Sequence, residues 1–229
     1  IPTVPIYILE NTRYFSSPIM YRDFNGFMEA ARYAFFSKAV LELILQWDFQ
    51  PDVIHAHDYY SGFIALFRNT SYKHNPIIQK LVTVLTIHSI RAQGLANESI
   101  LDFAEIAKKD LATYRPDQWG GINPLEQEIL NVDILTTVSP TYARELTLPQ
   151  NAYGLENAIK KKKKDFYGIL NGIDVHEYNP RKKNDSYHSY GISNVFEIKP
   201  KNKGKLLHHF KLQHRLDYPV ISMVTRLDD

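Results

Sequence analysis

Hydrophobic residues recur along this chain in two rhythms, one helical and one typical of short strands. From Phe27 to Trp47 the apolar residues follow a helical spacing with charged residues between them, which predicts a long amphipathic helix that ends before Pro51. Val4–Leu9 is rich in β-branched and aromatic residues, and this composition predicts a short strand. The first 50 residues are therefore predicted to contain one strand and one long helix.

Further along, short apolar blocks end abruptly in polar or turn-forming residues. The five blocks are Asp52–Ala56, Leu81–Ile87, Asp133–Val138, Phe166–Leu170 and Pro219–Thr225. Helices are predicted between most of them, one over Gly62–Arg68 and one that begins with Ser139 as N-cap and Pro140 as first helical residue. This alternation predicts a parallel α/β sheet, in which ligands bind beyond the carboxyl ends of the strands.

The region before the last block has a different composition. Between Tyr178 and Lys205 the chain is rich in Asn, Lys, Ser and Gly without a clear period, which predicts a linker or surface excursion. A helix is predicted over Lys205–His214, just ahead of the last strand.

Composition excludes several classes of protein. Hydrophobic residues make up 44% of the chain, enough to form a buried core. A net charge of +2 gives no case for a nucleic-acid or membrane partner, and no apolar run approaches the roughly 20 residues that span a bilayer. With no cysteine, disulfides, thiol nucleophiles and thiolate metal sites are excluded. Neither dinucleotide-binding nor phosphate-loop glycine motifs occur, and no signal peptide is visible.

The strand-end residues are the candidates for chemistry. His55 and His57 alternate along a strand and so share a face, which leaves three roles open: a metal site that lacks a third ligand, a packing or hydrogen-bonded role for His55, or ligand contact by His57 or Asp58. Asp58 is favoured for ligand contact because a carboxylate at a strand end can bind sugar hydroxyls. His88 follows the next block and is open between a functional role and a half-buried histidine bonded to a backbone carbonyl.

Two further features have simpler interpretations. Asp58 and Glu128 have the residue type of a glycosidase carboxylate pair, but nothing in their spacing supports one. The run Lys160–Lys164 is interpreted as a solvated loop or helix end rather than a site for an anion or a polysaccharide.

Several segments, taken together and in order, resemble bacterial glycogen synthases and starch synthases. Residues 51–58 read PDVIHAHD and resemble the family's "PDVVHAHDW"; Thr83–Gly94 is similar to "TVHNLAYQG". TTVSPTYARE, ending at Glu145, is followed by YGLE at 153–156, and Gly168–Pro180 reads GILNGIDVHEYNP, similar to "GILNGID…WNP". Val224–Leu227 resembles the opening of "VSRLTxQKG". The stretch VPIYILENTRYF also resembles the family's "VPVYFIDNPEYF".

The resemblance implies a fold and an activity. The fold is the GT-B architecture of two Rossmann-like α/β domains, here with residues 1–200 as an incomplete N-terminal domain plus linker and 201–229 as the beginning of the nucleotide-sugar-binding domain. The activity is retaining transfer of glucose from a nucleotide sugar, ADP-glucose rather than UDP-glucose, to the non-reducing end of an α-1,4-glucan. No metal or other cofactor is implied, since cationic side chains stabilise the leaving diphosphate. The implied location is the cytoplasm, or the plastid in a plant.

The resemblance also implies roles for individual residues. His88 and Asp58 are the catalytic candidates: Asp58 would contact the sugar or acceptor, and His88 would lie beside the transferred glucose. The substrate-binding candidates are Asn171 for the glucose, Arg226 for the diphosphate, and His57. Packing roles are expected for Tyr142 and Tyr153, which lie in matching segments.

Two departures from the family pattern keep other functions open. Ser89 stands where the family usually has Asn, and Glu126 replaces a lysine of its "SFLKAG" segment. One alternative is therefore a non-catalytic glucan-binding homologue, and another is a related GT-B transferase for a different sugar donor. Because the family's glycine-rich lysine loop and the lysine of its "RLTxQKG" motif do not occur in residues 1–229, the isolated chain is expected to be inactive.

Overall fold

The computed structural model describes residues 4–16, 27–47, 50–182, 186–213 and 215–225, without the side chains of residues 117 and 119. The chain divides into two compact units, Ile1–Asn171 and Gly172–Asp229. A domain boundary near residue 200 stays a prediction. None of the helices in the described ranges has both the length and the apolar character needed to cross a bilayer.

A four-stranded parallel sheet forms the centre of the first unit. Its strands are β1 (Val53–His57), β2 (Val82–Ile87), β3 (Ile134–Thr137) and β4 (Phe166–Gly168), in the order β1-β2-β3-β4. Each strand lies beside the one that precedes it in the sequence, because helical segments carry the chain back between them. The parallel α/β sheet predicted from the apolar blocks is confirmed, and all four carboxyl ends lie at one edge.

Helices of very different length surround the sheet. In the first unit they are α1 (Thr12–Phe15), α2 (Phe27–Gln46), α3 (Ile64–Asn69), α4 (Pro76–Lys80), α5 (Ser99–Ala104), α6 (Pro116–Trp119), α7 (Pro124–Asn131), α8 (Pro140–Glu145), α9 (Pro149–Ala152) and α10 (Glu156–Lys161). Single 3₁₀ turns occur at Tyr59–Ser61, Lys108–Asp110 and Lys163–Asp165. The predicted long helix is confirmed as α2, and the Ser139 hydroxyl accepts from the Tyr142 amide at 2.9 Å, which confirms the predicted N-cap of α8.

The hydrophobic core lies on one face of the sheet. Leu85, Ile87 and Leu135 are fully buried there, and α3 packs between α2 and α7 with Phe63 and Phe67 inside. The other face is more open, since Val53 and Val82 remain 50% and 40% exposed.

Two strand predictions are wrong in this structure. Val4–Leu9 and Pro219–Thr225 form no strand, and Ile6 and Ile221 are 84% and 93% exposed. An apolar, β-branched segment becomes a strand only where a neighbouring backbone accepts its hydrogen bonds. No strand pairs with either segment within the described residues.

The second unit contains a helix that begins earlier than predicted. A 3₁₀ turn at Ile192–Asn194 leads into α11 (Val195–His209), which includes ten residues of the predicted linker and ends before His214. Pro200 lies inside α11 and the helix has no continuous apolar stripe. The sequence of residues 195–204 therefore does not predict a helix.

Candidate active site

The carboxyl ends of β1 and β2 bring Asp58 and His88 into contact. Asp58 Oδ1 accepts hydrogen bonds from the backbone amides of His88 at 2.7 Å and Ser89 at 3.3 Å. The Asp58 amide in turn donates to the Thr86 carbonyl at 3.0 Å. The carboxylate therefore fixes the first residues of the loop after β2, and that loop carries His88.

Asp58 holds this position with an unusual backbone. Its φ of 50° lies in the region that side chains other than glycine rarely adopt, and it falls directly at the end of a strand. Such strain persists where neighbouring contacts impose it, and it is common at functional sites. The Ser61 hydroxyl, which bonds to the amide of His57 at 2.7 Å, holds the preceding residue.

Three histidines lie side by side on the open face of the sheet. His57 Nδ1 and His88 Nε2 are 3.0 Å apart and share a hydrogen bond. The rings of His55 and His57 have their centroids 4.3 Å apart at an angle of 34°. Burial, then the neighbouring His55 and His88, lower the pKa of His57, while Asp58 opposes them. His57 is therefore held in its neutral form at pH 7.

A line of hydroxyl groups continues from His55 into the sheet. His55 Nε2 lies 2.7 Å from Thr86 Oγ1, which lies 2.6 Å from Thr136 Oγ1. The Thr136 hydroxyl also reaches the Leu85 carbonyl at 3.2 Å. The hydrogen-bonded role predicted for His55 is confirmed, whereas His88 bonds to another histidine rather than to a backbone carbonyl.

The loop after β2 has a buried support that the sequence reasoning missed. Gln93 donates from Nε2 to the carbonyls of Ile90 and Tyr153, both at 3.1 Å, and accepts from Asn123 Nδ2 at 2.6 Å. The Ile90 amide donates to the Tyr142 hydroxyl at 3.3 Å. The available signal was that Gln93 lies inside the segment carrying His88. Tyr142 packs against the core as predicted, but the Tyr153 side chain is half exposed.

The other predicted site residues are less closely associated with His88. Asn171 follows β4 and is exposed; β3 separates β4 from β2, so parallel-strand spacing puts these two strands roughly 10 Å apart. Arg226 lies outside the described residues. Within the described ranges, no three histidine or carboxylate side chains are arranged to hold a metal ion.

The carboxylate at position 128 is a structural group. Glu128 is fully buried, and both of its side-chain oxygens accept a hydrogen bond from the Ala65 amide, at 3.1 and 3.0 Å. A glycosidase pair of Asp58 and Glu128 is thus contradicted, because Glu128 faces the start of α3 inside the core.

The two departures from the expected sequence pattern differ in their surroundings. Ser89 is exposed beside His88, at the site itself. Glu126 is buried, forms an ion pair with Arg115 and accepts from the Thr113 hydroxyl at 2.9 Å. The negative charge of Glu126 is therefore balanced inside the protein by Arg115.

The lysine run forms the end of α10 and the 3₁₀ turn after it. Most of it is a solvated helix end, as predicted. Lys162 is the exception: its ammonium group donates to the Val132 carbonyl, and burial lowers its pKa.

Comparison with known proteins supplies the context for this geometry. The family model for the starch synthase catalytic domain matches residues 2–161. The chain is 36% identical over 231 residues to a glycogen synthase of Desulforudis audaxviator, covering 99% of this chain and 44% of that protein. It is 37% identical over 226 residues to a glycogen synthase of Pseudothermotoga lettingae, covering 99% of this chain and 46% of that protein.

A solved structure shows the same arrangement of elements. The catalytic domain of starch synthase IV from Arabidopsis thaliana, bound to ADP and acarbose, has a TM-score of 0.72 and 31% identity, covering 86% of this chain and 40% of that one. The chain thus spans less than half the length of the relatives it matches. Its matches in sequence and fold agree, and the chain belongs to the starch synthase catalytic-domain family of glycogen and starch synthases, whose architecture is GT-B.

Proposed function

We propose that the complete protein carrying this chain transfers glucose from ADP-glucose to the non-reducing end of an α-1,4-glucan, with retention at the anomeric carbon. The observation that carries the proposal is the joint placement of Asp58 and His88 at one sheet edge, in a chain of this family. ADP is the choice of nucleotide because the related Arabidopsis starch synthase structure holds ADP together with acarbose.

Each residue of the site has a defined task in this proposal. Asp58 uses Oδ1 to fix the His88 and Ser89 amides, while no described residue donates to Oδ2, which is available to a sugar hydroxyl. His88 presents its imidazole and carbonyl to the transferred glucose, where positive charge develops at the anomeric carbon. Asn171 binds the same sugar from beyond β4.

Charge on the leaving diphosphate is the other demand of the reaction. Preorganised cations stabilise such charge, and we assign this task to Arg226 without a metal or other cofactor. The partners are then a nucleotide sugar and a glucan, with no nucleic acid or membrane surface. A cytoplasmic location, or the plastid in a plant, is part of the proposal.

A second candidate is a non-catalytic glucan-binding homologue. Ser89 favours it, because this side chain replaces the family's usual Asn directly beside His88. Glu126 no longer supports it, since its carboxylate is paired inside the protein.

The test is a transfer assay with the complete protein. Labelled glucose is offered as ADP-glucose and as UDP-glucose, with glycogen as acceptor, beside the variants His88→Ala and Ser89→Asn. We expect incorporation from ADP-glucose, a loss of roughly 100-fold or more in His88→Ala, and retained activity in Ser89→Asn. The 229-residue chain alone is expected to transfer nothing.

Three results would change the assignment. Incorporation only from UDP-glucose would indicate a related transferase with another donor. Binding of maltooligosaccharide by a folded protein that transfers from neither donor would establish the non-catalytic homologue. Glycogen elongation by residues 1–229 alone would contradict the expectation that the chain needs the rest of the protein.

A further inference from the structure

We infer that His57 is a positioning residue that orients the His88 imidazole, rather than a residue that binds sugar. The inference rests on the proposed function, because the orientation of His88 matters for catalysis only if His88 faces the transferred glucose. The observation behind it is the hydrogen bond between His57 Nδ1 and His88 Nε2, which joins the ends of β1 and β2 at 3.0 Å.

The His57 side chain already has fixed partners inside the protein. His55 packs against one side of its ring, with centroids 4.3 Å apart and the planes tilted by 34°, and the His88 ring lies at 5.2 Å. Its backbone amide bonds to the Ser61 hydroxyl at 2.7 Å, and that hydroxyl also reaches the His57 carbonyl at 3.0 Å. A ring held in this way has a defined direction for Nδ1, and that direction is toward His88.

The hydroxyl line behind His55 adds to the orientation. A carbonyl oxygen only accepts, so the Thr136 hydroxyl donates to Leu85 and the Thr86 hydroxyl donates to Thr136. His55 Nε2 then carries the proton that Thr86 Oγ1 accepts. These hydrogen bonds fix the orientation of the His55 ring, and the His55 ring packs against the His57 ring.

A sugar-binding role for His57 fits the contacts less well. Nδ1 is bonded to His88, so Nε2 is the one ring nitrogen of His57 left to contact a sugar hydroxyl. The lowered pKa of His57 keeps the ring neutral, so it offers a sugar no positive charge. His88 uses its Nε2 in the same bond, and no described residue bonds to its Nδ1. The hydrogen bond between the two histidines therefore fixes the direction in which His88 Nδ1 points.

Nuclear magnetic resonance of the 229-residue chain tests the contact without any activity. The side-chain ¹⁵N shifts of His88 are compared in the parent sequence, His57→Ala, His57→Asn and the control His74→Ala, an exposed histidine before α4. We expect the His88 shifts to change in His57→Ala, to return toward the parent in His57→Asn, and to stay unchanged in His74→Ala. Asn rescues because its amide places a hydrogen-bonding atom close to the position of histidine Nδ1.

Kinetics of the complete protein test the consequence. We expect His57→Ala to lower kcat by roughly 10- to 100-fold with little change in KM for either substrate, and His57→Asn to recover part of that loss. Unmoved His88 shifts in His57→Ala, or a rise in KM at unchanged kcat, would overturn the inference. If the complete protein transfers no glucose at all, the proposed function fails, while the ¹⁵N shifts still decide whether His57 orients His88.

Discussion

At the scale of single residues, the most exceptional group outside the site is Glu128. Burial raises its pKa to about 8, although the amides of Ala65 and Leu66 at the start of α3 pull the pKa downward. A carboxylate near a helix N-terminus is usually favourable, yet here the loss of water outweighs the helix dipole. Glu128 is consequently protonated in the folded protein at neutral pH.

This protonation makes stability depend on pH. The folded pKa is raised above the unfolded value of 4.5, so the folded chain holds a proton that the unfolded chain has lost between about pH 4.5 and 8. Stability from this group is therefore complete at low pH and falls as pH rises through that window. Glu128→Gln imitates the protonated acid and should stabilise the chain at pH 8 on the order of 2–4 kcal/mol, with no gain at pH 4.5.

Thermal unfolding of the two proteins at pH 4.5 and pH 8 measures this difference. The control is Glu145→Gln, an exposed glutamate at the end of α8, whose midpoint should change little between the two conditions. Equal gains for Glu128→Gln at both pH values would show that proton uptake is not the cause.

The sequence predicted which candidate residues lie together better than it predicted their contacts. That Asp58, His57 and His88 meet at one edge follows from parallel strands ending at polar residues, a local pattern. The target of Asp58 Oδ1, a backbone amide of the neighbouring loop, depends on a left-handed φ that no pattern indicates. The same holds for the His57–His88 bond, because it depends on two ring rotations.

At the scale of elements, prediction succeeded where an element is defined by its own sequence. Helix α2 and strands β1 to β4 have clear apolar periods and terminating residues, and their observed bounds lie within a few residues of the predicted ones. The failures at Val4–Leu9 and Pro219–Thr225 concern strands, which need a partner from elsewhere in the chain. The start of helix α11 was predicted wrongly for a different reason: its polar sequence has no amphipathic period.

One close approach between elements is set by a glycine. A Cβ on Gly168, at the end of β4, would lie 2.3 Å from the Ser139 carbonyl oxygen and 2.5 Å from the backbone of Pro140. Ser139 and Pro140 form the start of α8, whose backbone packs directly against β4. Gly168→Ala should therefore destabilise the chain by roughly 1–3 kcal/mol, the usual cost of overpacking.

Gly172→Ala is the matched control, because a Cβ there meets nothing within 4 Å. Urea denaturation followed by circular dichroism compares the midpoints of the two variants with the parent chain. We expect a lower midpoint for Gly168→Ala alone. Identical midpoints in both variants would mean that β4 and α8 separate at little cost.

At the scale of the whole molecule, buried hydrophobic residues are distributed very unevenly. Leu207 is the single buried hydrophobic residue among the described residues after Asn171, whereas the first unit contains an extensive core. The described residues from 172 to 178 are all exposed. A segment with so little buried apolar surface opens at a low free-energy cost, so proteases should cleave the chain there first.

Two exposed tyrosines allow this to be tested within one molecule. Tyr178 is 77% exposed in a turn after Gly172, where its amide donates to the Asp174 carbonyl at 2.9 Å, and Tyr167 is 52% exposed but lies in β4, paired with Thr136 of β3. Chymotrypsin needs an extended, unpaired backbone, and an exposed single turn opens more readily than a strand paired in the sheet. Cleavage after Tyr178 should therefore precede cleavage after Tyr167 in a mass-spectrometric time course. Tyr178→Ser should remove the early product and leave the residues before it intact for longer. Cleavage after Tyr167 at the same rate would show that β4 opens as readily as the segment beyond it.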